Sequence, residues 1–284
     1  MARKSIVGIL AKTVPPMVTA GAWRISTTSN AEEFPQADSE SARQRLIAAL
    51  NKLRPNEAAM RAKWIEDEQG WHKLPPRAWP PIQPKANEVP ALRAQLEAAK
   101  CLPAGATMNT PECKQMIFHL ASGLIFASVD PTEGFKLYQE LGTLGDAEAM
   151  VGTAICLLEG LGAEKDDSHG LSWLRQASKE GNAQADFELG TLLFTGGGGL
   201  QEDEEAAVAL FQRAAEQQHA GAMFMLADCL LEGVGCATDH AKAVPLLHAA
   251  AMKGHRGARQ HLRQLLDGNW RGFDKPAGPV RLVV

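Results

Sequence analysis

The residue types best suited to chemistry in this chain are its histidines and cysteines, and they cluster. His240, His248, His255 and His261 crowd the C-terminal third beside Cys229 and Cys236. Cys and His in that mixture would hold zinc if the spacing let four ligands converge. The spacing fails that test. Neither H-E-x-x-H nor a paired C-x-x-C occurs, and His255 and His261 alternate with Arg256, Arg259 and Arg263 as on a solvated capping helix. Gly196 to Gly199 lacks the Lys-Ser/Thr that completes a phosphate-binding loop, and no G-x-S-x-G elbow or Cys/His nucleophile pattern is present. No catalytic, cofactor-binding or metal-ligating residue is assigned, and an enzyme is not expected.

The elements that must carry these residues repeat along the chain. Leu137-Tyr138, Trp173-Leu174, Leu210-Phe211 and Leu246-Leu247 recur at steps of 36, 37 and 36 residues, the signature of a repeat array. With Gly145, Gly181 and Gln218 opening successive units, small residues follow at Ala147 and Ala149, Ala183 and Ala185, Ala220 and Ala222. Thr153-Ala154, Leu189-Gly190 and Leu226-Ala227 come one turn later on the same helical face. Each such first helix ends in glycine, at Gly160 to Gly162, Gly196 to Gly199 and Gly233 to Gly235. Asp166, Asp203 and Asp239 then stand just ahead of Ala-rich second helices and read as N-caps rather than as metal ligands.

The combined pattern, G-x-A-x-A-x-x-x-L-G, then G-x-G, then Asp, then an aromatic or Leu pair before Ala-Ala, resembles the Sel-1-like repeat family, relatives of the tetratricopeptide repeats. The resemblance covers about half the chain. It implies an all-α, right-handed α-α superhelical solenoid with clear units at 145–180, 181–217 and 218–253 and degenerate units at 109–144 and 254–268. It also implies protein–protein interaction as the activity, and by family analogy a part in assembling a larger complex. Some branches are cysteine-rich, among them a cytochrome oxidase assembly factor and β-lactam hydrolases, with a disulfide in each unit. That cysteine spacing is absent here.

The five cysteines, Cys101, Cys113, Cys156, Cys229 and Cys236, show no regular pairing distance. Cys156 and Cys229 occupy the same register two units apart, too far for a bridge, and read as small apolar core residues. Cys101 with Cys113 is the one pair worth testing.

Composition bounds the remaining possibilities. A net charge of −4 without a basic stripe argues against nucleic-acid binding, and no apolar run approaches the roughly 20 residues of a membrane span. Residues 1–31 carry Arg3, Lys4, Lys12 and Arg24 and no acidic residue, the composition of an organellar presequence. Mitochondrial import is the expectation, with a plastid or a cytoplasmic location as alternatives. Residues 32–108 form a helical and Pro-rich extension, helical over 39–66 with Leu46, Ile47 and Leu50 as its apolar face and a restart at Asn56-Glu57-Ala58 after Pro55. The stretch from Trp71 to Pro84 is extended, and Trp71 and Trp79 mark it as a docking arm, for its own solenoid or for a partner. A helix resumes around Glu88 to Lys100, and residues 269–284 form a tail.

The face of each first helix turned away from its Ala/Leu side should line the inner curve of the stack. Its residues are Glu112, Met116 and His119; Glu148 and Ile155; Gln184, Glu188 and Thr191; Met225 and Asp228. This strip mixes carboxylates with apolar groups and suits a basic or amphipathic peptide of a protein partner. Phe187 and Phe224, one place off it, read as core. The function expected is a non-enzymatic scaffold or adaptor, the alternative a permanent structural subunit of a mitochondrial complex; a β-lactam hydrolase is the remaining reading.

Overall fold

The computed structural model describes residues 39–57, 60, 84–98 and 110–267. Among the described residues the chain is all-α, with eleven α-helices, two 3-10 turns and no strand. It divides into two compact units, Pro75–Glu202 on one hand and Met1–Leu74 with Asp203–Val284 on the other. The presequence, the arm bearing Trp71 and Trp79, Cys101 and the tail lie outside the described residues.

The Pro75–Glu202 unit holds α2 (Val89–Ala98), α3 (Pro111–Phe126), α4 (Pro131–Thr143), α5 (Ala147–Glu159), α6 (Asp167–Lys179) and α7 (Ala183–Thr195). The helices pair as α3 with α4 and α5 with α6, while α4 also packs on α5 and α6 on α7. This is the neighbour pattern of stacked helical hairpins. In the other unit, α8 (Glu204–Glu216) packs on α9 (Ala220–Glu232), α9 on α10 (His240–Met252), and α10 on α11 (Arg256–Leu266). There α10 also carries α1 (Ser39–Leu53).

Local chemistry explains why the chain breaks into these pieces. Asp166, Asp203 and Asp239 cap α6, α8 and α10 as expected, each Oδ1 accepting the backbone N–H three residues on at 2.9 to 3.1 Å. The first helices α5, α7 and α9 end on Gly160, Gly196 and Gly233 with φ of 72°, 67° and 71°, a left-handed geometry that costs a residue with a Cβ about 1 kcal/mol or more. The opening alanines Ala149, Ala185, Ala222 and Ala258 are fully buried. Four residues after each second-helix cap stands another small residue, Gly134, Gly170, Ala207 or Ala243, all buried. A Cβ on Gly134 would come within 2.9 Å of the Ala121 carbonyl of α3. Second helices therefore cross first helices at this position, where backbone meets side chain directly.

Two loop glycines have a different role. A Cβ on Gly162 would sit 1.9 Å from the Pro131 carbonyl oxygen, and one on Gly235 would sit 2.4 Å from that of Glu204. In the loops 160–162 and 233–235 the second glycine thus abuts the first turn of the preceding second helix. At the deepest packed positions lie Tyr138, Phe211 and Phe224. The Tyr138 hydroxyl is 2.6 Å from Ser122 Oγ, which satisfies both groups away from water.

The N-terminal helical segment breaks at Pro55: α1 ends at Leu53 in a 3-10 turn, Arg54–Asn56, and Glu57 and Met60 beyond it are helical. Three expectations are corrected. Within α1 Leu46 and Leu50 are buried but Ile47 is 46% exposed, because only one narrow stripe meets α10. The helix α11 is not a solvated cap, since Arg259 and His261 are buried at 3% and 8% exposure. Phe224 is core as expected, whereas Phe187 is half-buried.

Candidate functional site

The expected binding strip divides sharply on folding. Glu112 and Glu148 are exposed, and Met116, His119, Gln184 and Thr191 are half-buried. All six belong to α3, α5 and α7, the first helices of the Pro75–Glu202 unit. Ile155, Glu188, Met225 and Asp228 are instead buried, at 3%, 8%, 2% and 1% exposure. Within each unit neighbouring first helices touch, α5 with α7 and α9 with α11, so there a position pointing away from its own second helix meets the next first helix before it meets solvent. In the Asp203–Val284 region this is explicit: Asp228 of α9 meets His261 of α11 at 2.7 Å, and Phe224 stacks on His255 with centroids 4.6 Å apart. The first helices of that region offer no such strip at Met225 and Asp228.

The accessible part in α3, α5 and α7 has a defined polar character. The Glu148 carboxyl is pushed up, first by partial burial and then by the neighbouring carboxylate of Asp146. Partial burial lowers His119, keeping its ring neutral at physiological pH. The Gln184 amide donates to Glu188 at 2.7 Å, and Thr191 Oγ1 donates to the Phe187 carbonyl at 2.9 Å. Lys114, the cation on α3, points its ammonium at the Leu144 carbonyl, 3.3 Å away. Beside His119, α2 and Pro84 form a groove of about 310 Å³ whose lining includes Leu92, Ala91 and Glu88. Sequence reasoning missed this groove, because it arises where α2 meets α3 and no repeat pattern includes α2.

Other constellations do not assemble for chemistry. Asp166, Ser168 and His169 carry the residue types of a hydrolytic triad. However, Ser168 Oγ and the His169 ring both bond the Asp166 carboxylate, at 2.8 and 2.6 Å. A triad needs the serine bonded to the histidine. The His169 backbone N–H, followed by these side-chain bonds, holds Asp166 below the usual carboxylate range, as an N-cap. Among the described residues no group of three or more His, Cys, Asp or Glu is placed to hold a metal ion, and no helix is long and apolar enough to cross a membrane. Cys156, Cys229 and Cys236 form no disulfide, and Cys113 is disulfide-bonded.

Comparison with known proteins agrees with this geometry. The Sel1 repeat model matches residues 119–146, 145–182, 183–219 and 220–255. A crystal structure of a Sel1 repeat protein from Oxalobacter formigenes is similar at 25% identity, over 63% of this chain and 74% of its own, with a TM-score of 0.51. A second similar structure is c5321, a protective antigen present in uropathogenic Escherichia coli strains displaying an SLR fold. It shows 17% identity over 82% of this chain and 52% of its own, with a TM-score of 0.49. No curated protein matches the sequence. Four consecutive repeats, capped and spaced as described, form an all-α repeat solenoid, and residues 119–255 of this chain belong to the Sel1 repeat family.

Proposed function

We propose that the protein is a non-enzymatic scaffold or adaptor that receives a basic or amphipathic segment of a protein partner on the face of α3, α5 and α7. Sel1 repeats serve protein–protein interaction. The observation that carries the finer reading is the retention of Glu112 and Glu148 at the surface, with Met116 and His119 half-buried on α3. Carboxylates interspersed with apolar contacts select cationic, amphipathic partners. A Lys or Arg brought near Glu148 would also offset the partial burial and the Asp146 repulsion that raise its carboxyl.

The address we propose is mitochondrial, supported by the acid-free composition of residues 1–31, and the role is to aid assembly or stability of a larger complex. The disulfide at Cys113 favours an oxidising compartment over the cytoplasm. Permanent membership of a complex is the alternative, and it predicts co-migration at fixed stoichiometry in native gels; an adaptor predicts partial, salt-sensitive recovery. Proximity labelling with the full chain, compared with a chain starting after Asn30, tests address and neighbours together. Organellar neighbours that vanish on truncation support the proposal, and an unchanged cytoplasmic set contradicts it.

A further inference from the structure

The N-caps of the first helices change chemistry along the array. In α5 and α7 the capping groups are oxygens, Asp146 Oδ1 accepting from Ala149 N–H at 2.9 Å and Asn182 Oδ1 from Ala185 N–H at 3.0 Å. In α9 and α11 they are ring nitrogens: His219 Nδ1 accepts from Ala222 N–H at 3.1 Å, and His255 Nδ1 accepts from Ala258 N–H at 3.2 Å. A ring nitrogen can accept only while it carries no proton, so both rings must be neutral with the proton on Nε2. Protonation would turn each acceptor into a donor and set a positive charge against the positive end of a helix.

We propose that His219 and His255 form an acid-sensitive cap pair, so that protonating them uncaps α9 and α11 and loosens the C-terminal repeat while α5 and α7 stay closed. Geometry leaves the rings little escape. His255 is stacked on Phe224 with an interplanar angle of 29°, and a Cβ built on Gly257 would lie 3.2 Å from Phe224 and 3.3 Å from the His255 ring. The charged groups on the packed elements are mostly cationic or already engaged. The helix α9, capped by His219, contributes Asp228, which is paired with His261 of α11, and Glu232 at its end; α10 contributes His240, Lys242 and His248, with Lys253 closing it; α11 contributes Arg256, Arg259 and Arg263. Glu216 closes the preceding α8.

Burial pushes both rings down to about 4, with the charge of His219 adding to the effect on His255. A lowered folded value means that the stability is complete above the unfolded value near 6.5. It is then lost as pH falls towards 4. At pH 5 the linkage relation gives roughly a 30-fold bias against the capped state for each ring. The Asp228–His261 pair has the opposite sign and is retained in acid, which confines the loosening to the first turns of the two helices.

The decisive experiment compares the full chain with the double variant His219→Asn and His255→Asn, since Asn182 already serves as the cap in a sister repeat. Amide exchange, corrected for intrinsic rates, is followed at pH 7.5 and pH 5.0. The expected result is at least a tenfold loss of protection in the first turns of α9 and α11 of the wild type at pH 5.0. The variant should keep its protection, as should α5 and α7 in both proteins. Equal acid sensitivity in wild type and variant, or none in the wild type, overturns the proposal. Should the variant fail to fold, nitrogen-edited spectra of the wild-type histidines decide: Nε2–H tautomers that resist protonation down to about pH 4 support it, and Nδ1–H tautomers or midpoints near 6.5 sink it.

Discussion

Asp228 of α9 and His261 of α11 form an ion pair at 2.7 Å in which both side chains are withdrawn from water. Burial alone would lower the His261 value, but the charge and hydrogen bond of Asp228, with the charge of Glu232, outweigh it and the net shift is upward. A raised folded value contributes stability that is complete below about 6.5 and is lost as pH rises through the folded value. Asp228→Asn should therefore cost about 3 kcal/mol at pH 6 and less at pH 8, because it leaves a buried imidazolium without its counter-charge. Denaturant unfolding at the two pH values checks both the loss and its sign.

The loop glycines should separate into two classes. Gly162→Ala and Gly235→Ala force a Cβ into the backbone of Pro131 and Glu204, and each should cost at least about 3 kcal/mol. Gly181→Ala meets no atom within 4 Å and bears only its φ of 80°, which costs about 1 kcal/mol. Melting temperatures of the three variants in one buffer give the comparison. Equal losses would show that left-handed strain, not close approach, is what the glycines serve.

Tyr138 is the single tyrosine of the chain, so phenolate absorbance reports one site. Burial raises its hydroxyl well above the ordinary value, partly offset by the hydrogen bond with Ser122. The neutral ring is favoured in the fold, so stability falls as pH rises past the unfolded value near 10. Absorbance at 295 nm should stay flat until the protein unfolds in alkali. Tyr138→Phe should cost about 1 to 2 kcal/mol by stranding Ser122.

Free thiols give a simple covalent check. Cys156, Cys229 and Cys236 form no disulfide and Cys113 is disulfide-bonded; Cys101, the remaining cysteine of the sequence, is the partner this prediction tests. A thiol titration in denaturant without reductant should find three groups, and peptide mapping should recover Cys101 linked to Cys113. Five thiols, or a bridge using another cysteine, would contradict the assignment.

The comparison of chain and fold shows where a sequence is readable. Ala149, Ala185 and Ala222, the caps Asp166, Asp203 and Asp239, and the closing glycines were legible because each acts within one hairpin, at distances along the chain that a pattern captures. Ile155, Met225 and Asp228 were misplaced because a helical wheel knows only its own partner helix, and their burial comes from the next first helix. The packing of α1 on α10 was illegible for the same reason, since it joins segments remote in sequence. On α11, Arg259 and His261 resemble surface charge until the Ala251 carbonyl, 2.9 Å from Arg259 Nε, and Asp228 are seen to receive them.

Partner recognition by the α3, α5 and α7 face is tested most directly by charge reversal. Glu112→Lys with Glu148→Lys is compared with a control of equal charge, Glu164→Lys with Glu180→Lys, whose sites are also exposed, after circular dichroism has shown equal helicity. Quantitative capture of partners from the protein's own cells should fall at least tenfold for the first pair and stay near wild type for the control. Undiminished capture by the first pair, or equal loss in both, would contradict the assignment of this face.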